Sequence, residues 1–139
     1  PSHFAASYWR SRAKSFGEEV VLPQRRIINT TSESGLFGGP GQSNYGSAKG
    51  GIITMTLVHA RELQRYNVTV NCVCPGPTDT PLFQAVPEKF REAFVRATPL
   101  RRVGKPQEVA DAMLFFASSR TDYVTGQVLS VSGGLTMAG

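Results

Sequence analysis

The 139-residue sequence predicts an α/β fold built on a parallel sheet that helices cover on both faces. Two observations carry this prediction. Short strand patterns alternate with longer helical patterns along the chain, which is typical of strand–helix–strand units with right-handed crossovers. The strand pattern at residues 26–31 also has an apolar centre, as expected of a strand whose two faces are both buried.

Local patterns define the elements in chain order. Apolar residues recur at helical spacing over residues 3–16, and Gly17 is expected to end that helix. The prolines that follow Cys74 end a strand, because proline cannot continue a strand ladder. Pro106 suits the first position of a helix. The predicted elements are a helix over 3–16, a strand over 26–31, a glycine-rich loop over 34–43, a helix over 44–66, a strand over 68–74, helical turns within 80–98, a helix from Pro106 and a strand over 128–131.

The helix predicted over residues 44–66 is apolar around most of its circumference. A helix with this pattern is buried on more than one side. One side is expected to lie on the sheet, and the other to meet a further helix, either in this chain or in a second subunit.

The composition favours a cytoplasmic globular protein. Hydrophobic residues make up 40% of the chain, yet no apolar run is long enough to cross a membrane, and the first residues lack the apolar centre of a signal peptide. The chain does not begin with methionine, so we expect residues to precede Pro1. The net charge of +5 is scattered along the sequence, which favours solvated helix faces over a nucleic-acid-binding surface.

The two cysteines, Cys72 and Cys74, fall on one face of a predicted strand. We expect both to be buried free thiols in a reducing compartment. Since no further cysteine or histidine cluster accompanies them, no metal site is predicted.

Three residues around the glycine-rich loop are candidates for catalysis: Ser32, Tyr45 and Lys49. Tyr45 and Lys49 are four residues apart, so a helix would place both side chains on one face. A nearby ammonium favours the phenolate form of a tyrosine and fits it for proton transfer near neutral pH. Ser32 precedes the loop over 34–43, which is either a flexible connector or a compact turn that lets backbone approach a ligand; its neighbours favour the second.

The position of these residues along the predicted sheet supports a ligand site. Ser32 follows one strand, and Pro75 and Gly76 follow the next. In an open parallel sheet, ligands bind at the carboxyl ends of the strands. The sequence therefore predicts a site at that edge.

The chain resembles the classical short-chain dehydrogenase/reductase family, in particular its 3-oxoacyl-(acyl-carrier-protein) reductase-like members. The family's serine stands thirteen residues before a Tyr-x-x-x-Lys motif, as Ser32 does here, and a Pro-Gly pair with nearby threonines follows the next strand, as at residues 75–80. The resemblance implies a Rossmann-like three-layer αβα fold, of which residues 1–139 would form one C-terminal portion, without the N-terminal nucleotide-binding strands.

The resemblance also implies an NAD- or NADP-dependent oxidoreductase that moves a hydride between the nicotinamide and a small carbonyl or alcohol substrate. Tyr45 would be the general acid or base, Lys49 would tune its acidity and bind the nicotinamide ribose, and Ser32 would orient the carbonyl. The residues implied to bind the cofactor are Tyr45, Lys49, Pro75, Gly76, Pro77, Thr78 and Thr80. The residues implied to contact substrate are Ser32, Gln42, Tyr45 and Phe83.

Further expectations follow from the family. Its members usually form dimers through the helix that corresponds to residues 44–66, so we expect a homodimer or homotetramer without nucleic acid or membrane as a partner. Phe83, Phe90 and Phe94 are expected to form either ordinary core or a substrate lid. The family usually has a lid in this segment, which favours the lid.

Two departures from the family pattern leave an alternative. Neither the family's glycine-rich dinucleotide loop nor its Asn-Asn-Ala-Gly motif occurs in these residues. Ser132 also stands where the family usually has an acidic residue, but this indicates a local change at the last strand and not loss of the reaction. The missing strands would also leave a sheet edge unpaired. The alternative is a truncated, non-catalytic chain that acts by associating through its long helix; a basic binding module is a more remote third reading.

Overall fold

A parallel three-stranded sheet forms the centre of the protein, in the order β1–β2–β3. The computed structural model describes residues 2–16 and 22–137. Its strands are β1 (Arg25–Thr30), β2 (Val68–Pro75) and β3 (Val128–Val131). Its helices are α1 (Ser2–Ser15), α2 (Ser34–Phe37), α3 (Ser43–Leu63), α4 (Pro81–Gln84), α5 (Glu88–Ala97) and α6 (Pro106–Ala117), with 3₁₀ turns at Gln64–Tyr66 and Ser119–Thr121.

Both strand pairs are parallel, which confirms the predicted α/β class. Arg25 pairs with Val68 at the start of β1, and Cys72 pairs with Val128 at the start of β3. The central strand β2 is buried along nearly its whole length. In the described part of the chain, β1 and β3 each keep one edge without a strand partner.

The main core lies between α1, the end of α3 and the first half of the sheet. Its buried side chains are Ala6, Ile27, Ala60, Leu63, Val68 and Val70. Trp9 and Tyr66 pack against this cluster from its margin, and the Arg25 guanidinium lies 5.6 Å from the centre of the Trp9 ring. Asn67 adopts a left-handed conformation, with φ of 55°, and turns the chain from α3 into β2.

Several predicted boundaries are wrong by one or two residues. The first strand spans Arg25–Thr30 instead of 26–31, and the second continues to Pro75. The long helix begins at Ser43, and its last predicted turn, over 64–66, has 3₁₀ geometry. Gly17 and most of the predicted loop before β1 lie outside the described residues.

The predicted loop over 34–43 contains a helical turn, α2, which the glycine-rich sequence did not indicate. The packing of this turn accounts for the glycine at position 35. A Cβ atom on Gly35 would stand 2.7 Å from the Lys49 carbonyl carbon, so only glycine lets α2 lie directly on α3. The glycine-rich sequence thus reflects close packing of two helices.

The long helix α3 is buried on one side only in the described part of the chain. Thr56, Ala60 and Leu63 face the sheet, whereas Leu57 and Val58 remain exposed. The expectation of burial on a second side is therefore wrong for the single chain, because no described element covers that side. The first helix is similar, since it buries Ala6 and exposes Phe4 and Tyr8.

The remaining sequence expectations concern the cysteines and the membrane. Cys72 and Cys74 are buried free thiols, as predicted. No helix among the described residues has the length and apolar character needed to span a bilayer.

Candidate active site

Ser32 lies just beyond the carboxyl end of β1, and its predecessor Thr31 fixes the chain there. The Thr31 N–H donates to the Val73 carbonyl across 2.9 Å, which extends the pairing of β1 with β2 by one residue. The Thr31 hydroxyl donates to the Lys49 carbonyl across 2.7 Å. The first hydrogen bond joins the strand end to β2 and the second joins it to α3, so the residue before Ser32 is held against that helix.

Tyr45 and Lys49 lie one turn apart on α3, as their spacing predicts. The Lys49 ammonium is 5.7 Å from the centre of the Tyr45 ring, and it also donates to the Thr30 carbonyl at 3.4 Å. The Tyr45 side chain is 45% exposed, so its phenol stays open to a ligand. The positive charge of Lys49 is therefore held close to Tyr45 by the end of β1.

A cavity of about 470 Å³ opens at the carboxyl ends of β1 and β2. It brings together every predicted substrate and cofactor residue except Lys49, whose ammonium lies beside the Tyr45 ring. The lining residues are Ser32, Glu33, Ser34, Gln42, Tyr45, Pro75, Gly76, Pro77, Thr78, Thr80, Leu82, Phe83, Val86 and Phe94.

The segment that follows β2 forms the floor of the cavity and is held by backbone pairing. The Gly104 N–H donates to the Pro77 carbonyl at 2.9 Å, and the Asp79 N–H donates to the Gly104 carbonyl at 2.8 Å. The Thr78 hydroxyl donates to the Gly76 carbonyl at 2.9 Å. These hydrogen bonds within the protein hold the turn that lines the cavity.

One wall of the cavity is apolar. The rings of Phe83 and Phe94 lie 6.1 Å apart in a tilted arrangement, and Leu82 and Val86 extend the same surface. The Thr80 hydroxyl accepts a hydrogen bond from the Phe83 N–H and caps α4, which fixes this wall relative to the floor. Ser32 and Tyr45 add polar hydroxyls to the lining of the same cavity.

The glycine-rich segment contributes the rim of the cavity. The Ser34 hydroxyl donates to Gln42 Oε1 across 2.7 Å and links the start of α2 to the residue before α3. Gln42 thus lies at the cavity with its side-chain oxygen already engaged.

Sequence reasoning missed Glu33, which lines this cavity next to Ser32. Its carboxylate accepts a hydrogen bond from the Thr136 hydroxyl, 103 residues away in sequence. Burial raises the pKa of Glu33 above its usual value, and hydrogen bonds from Thr136 and Ser132 act in the opposite direction. The one available signal was the position of an acidic residue directly beside the candidate serine.

The buried cysteines are not candidates for nucleophilic chemistry. Burial, followed by the nearby charge of Glu33, raises the pKa of Cys74 to about 12. Burial likewise raises the pKa of Cys72. Within residues 2–16 and 22–137, no group of three His, Cys, Asp or Glu side chains is arranged to hold a metal ion.

The parallel sheet with its cavity at the carboxyl strand ends defines a Rossmann-like α/β protein with a ligand site at the usual edge. A family model described as enoyl-(acyl carrier protein) reductase matches residues 11–136. The chain belongs to the short-chain dehydrogenase/reductase family.

Individual relatives support the same assignment. The chain is 48% identical to 3-oxoacyl-(acyl-carrier-protein) reductase FabG of Thermotoga maritima over 119 residues, which cover 84% of this chain and 48% of that protein. It is 44% identical to (3R)-3-hydroxyacyl-CoA dehydrogenase of Mus musculus over 111 residues, which cover 80% of this chain and 43% of that protein. The chain thus spans about half the length of the curated relatives it matches.

A solved structure shows the same fold. The crystal structure of 3-oxoacyl-(acyl-carrier protein) reductase from Brucella melitensis superimposes with a TM-score of 0.78 at 38% identity. The match covers 81% of this chain and 42% of that one.

Proposed function

We propose that residues 1–139 form the C-terminal portion of a cytoplasmic oxidoreductase that transfers a hydride between NAD or NADP and a carbonyl or alcohol substrate. The observation that carries the proposal is that Ser32 and Tyr45 line one cavity at the carboxyl ends of the strands, with Lys49 beside the Tyr45 ring. Membership of the family supports the same reaction class.

Tyr45 acts as the general acid in the reductive direction and as the general base in the oxidative direction. Negative charge grows on the substrate oxygen when the carbonyl is reduced, and the Tyr45 hydroxyl protonates that oxygen. The neighbouring Lys49 ammonium favours the phenolate that remains. Ser32 donates a hydrogen bond to the same oxygen and orients the carbonyl before the reaction.

The described residues fit the nicotinamide end of the cofactor. When bound, the nicotinamide supplies or accepts the hydride. Lys49 and Tyr45 would contact the ribose next to that ring. Among the described residues, the Lys49 ammonium makes one long hydrogen bond, to the Thr30 carbonyl, and an ammonium has three N–H groups to donate. The residues that would hold the nicotinamide itself are Pro75, Gly76, Pro77, Thr78 and Thr80.

The adenosine and pyrophosphate end of the cofactor would be bound by strands outside residues 1–139. The domain proposed here is therefore one portion of a larger nucleotide-binding domain. Its missing strands would pair with a free edge of the described sheet.

The substrate we favour is an acyl thioester with a 3-oxo or 3-hydroxy group. The names of two relatives, a 3-oxoacyl-(acyl-carrier-protein) reductase and a (3R)-3-hydroxyacyl-CoA dehydrogenase, specify such acyl groups. The apolar wall that includes Phe83 and Phe94 suits an acyl chain, while Gln42 and Ser32 offer polar contacts to its oxygens.

The test is a turnover assay with the protein expressed from its full open reading frame. Oxidation of NADH or NADPH is followed at saturating 3-oxoacyl thioester. Tyr45→Phe is expected to lower kcat by about a thousandfold or more, because it removes the transferable proton. The matched control is Tyr123→Phe, since Tyr123 is fully exposed and does not line the cavity. Near-normal turnover by Tyr45→Phe would refute the assignment of Tyr45.

A second candidate function is a non-catalytic chain that associates through its helices as a homodimer or homotetramer. The exposed apolar side chains of α1 and α3 favour self-association, in the enzyme as well as in this alternative. The two functions differ in cofactor binding. Residues 1–139 alone are expected to bind NADPH weakly, and the full open reading frame tightly; equally weak binding by both would favour the non-catalytic chain.

A further inference from the structure

The side chain of Glu33 connects the candidate serine to the far end of the chain. Glu33 follows Ser32 directly, and its Oε1 accepts a hydrogen bond from the Thr136 hydroxyl. Glu33 lines the cavity that contains Ser32 and Tyr45, and also a neighbouring cavity that Thr136 lines. The contact therefore lies between the active-site cavity and the segment beyond β3.

The Thr136 side of this contact is fixed by its own hydrogen bonds. The Thr136 N–H donates to the Ser132 hydroxyl at 3.1 Å, and the Ser130 hydroxyl donates to the same oxygen at 2.8 Å. Because Ser130 belongs to β3, this chain of hydroxyls ties Thr136 to the sheet. A residue that forms a hydrogen bond with Thr136 is thus held in place relative to the sheet.

Close packing leaves little room for Glu33 to move. A Cβ atom placed on Gly76 would stand 3.1 Å from Glu33 Oε1 and 2.9 Å from the Ser132 Cα. The carboxylate therefore sits where the ends of β2 and β3 approach each other. In the described part of the chain no ion pair involves Glu33, so hydroxyls rather than a cation hold it.

Ser32, in contrast, is weakly restrained by its own side chain. The described contact of its hydroxyl is with the Ser34 N–H at 3.4 Å, which is a long hydrogen bond. Its location depends on its neighbours in sequence. Thr31 is anchored to Val73 and Lys49 on one side, and Glu33 is anchored to Thr136 on the other.

We propose that Glu33 is a positioning residue, whose hydrogen bond with Thr136 sets where Ser32 presents its hydroxyl to the substrate oxygen. The inference rests on the proposed function of Ser32. Glu33 acts through Ser32 and makes no bond to the reacting atoms. Through this contact, the segment that follows β3 helps to set the geometry of the proposed active site.

The experiment compares variants that break the contact with variants that keep it. Glu33→Ala and Thr136→Val remove one partner, whereas Glu33→Gln and Thr136→Ser retain an acceptor and a donor. In the protein from the full open reading frame, each of the first two is expected to lower kcat about tenfold with the KM for cofactor nearly unchanged. The double variant, Glu33→Ala with Thr136→Val, is expected to lose no more kcat than either single variant. The conservative variants, Glu33→Gln and Thr136→Ser, are expected to keep most of the activity.

A second readout does not depend on activity. Amide hydrogen exchange at residues 31–37 is expected to accelerate in Glu33→Ala and Thr136→Val but not in Glu33→Gln. Unchanged kcat in both disruptive variants, or losses that multiply in the double variant, would overturn the proposal. If exchange responds as expected while the wild-type protein turns over no nicotinamide substrate, the proposed function fails, and with it the catalytic meaning of the contact. If exchange does not respond, the proposed contact itself is wrong.

Discussion

The carboxyl ends of the strands and the outer faces of α1 and α3 differ in how completely their side chains find partners within the described residues. At the strand ends, Thr31 and Thr136 are buried, and their hydroxyls both donate hydrogen bonds within the chain. On the outer helix faces, Phe4 is 77% exposed and Leu57 is 40% exposed. The described residues thus specify the edge that carries the candidate site, but within residues 2–16 and 22–137 nothing covers these helix faces.

This contrast has a physical origin. Polar groups at the strand ends need partners at hydrogen-bond distance, so nearby loops must provide them. An apolar helix face needs only a complementary apolar surface, which a second copy of the chain can provide as well. The described residues therefore satisfy one region by themselves and leave the other with an apolar surface that is available for association.

The largest effect is expected at the uncovered helix face. Leu57→Glu places a charge on the exposed apolar side of α3 and is expected to weaken self-association by about tenfold or more, since burying the charge would be costly. Sedimentation velocity over a range of concentrations measures this. The control is Leu114→Glu on α6, where Leu114 is 67% exposed on a different helix. If Leu114→Glu dissociated the protein and Leu57→Glu did not, the surface would have been assigned to the wrong helix.

A smaller effect is expected at the strand ends. Thr31→Val keeps the shape of the side chain but removes the hydroxyl that donates to the Lys49 carbonyl. The free energy of unfolding is expected to fall by about 1 kcal/mol, the usual worth of such a hydrogen bond. Chemical denaturation measures it, with Thr54→Val as control because the Thr54 hydroxyl is exposed and 3.5 Å from the Gly50 carbonyl. Equal losses for the two variants would show that the strand end is not specially stabilised.

The smallest effect concerns pH. Because burial raises the pKa of Glu33 above 4.5, the folded protein holds this proton more tightly than the unfolded chain does. Its contribution to stability is therefore greatest below pH 4.5 and is lost as the pH rises through the folded pKa. Glu33→Gln, which cannot ionise, is expected to lose less stability between pH 4 and pH 7 than the wild type.

The Glu33 charge acts on the Cys74 thiol, whose pKa burial and this charge raise to about 12, so the thiol stays neutral from pH 4 to pH 7. Stability curves for the wild type and Glu33→Gln that stay parallel from pH 4 to pH 7 would show that Glu33 ionises as freely in the folded state as in the unfolded chain.

The sequence predicted much of the sheet and of the cavity. The apolar centre of β1 and the prolines after β2 fixed the strands to within one or two residues, and the spacing of Tyr45 and Lys49 fixed their shared face. These features are local, so a pattern over a few residues can reveal them. The catalytic roles of Ser32, Tyr45 and Lys49 stay predictions.

The features that the sequence concealed depend on distant contacts. The helical turn α2 looked like a loop because Gly35 is a poor helix former, although its close approach to Lys49 is what requires glycine. Glu33 meets Thr136 across most of the chain, and no local pattern predicts that pair. The exposure of Phe4 was also hidden, since periodicity shows that a helix has an apolar face but not which molecule covers it.

The central claim is that Ser32 and Tyr45 act on one substrate oxygen. A double-mutant cycle on kcat with Ser32→Ala, Tyr45→Phe and the combined variant, made in the protein from its full open reading frame, tests it most directly. If both hydroxyls serve the same oxygen, the double variant should be scarcely slower than Tyr45→Phe alone, because residues that act as a unit have non-additive effects. Losses that simply multiply, or a Ser32→Ala variant with wild-type turnover, would contradict the claim.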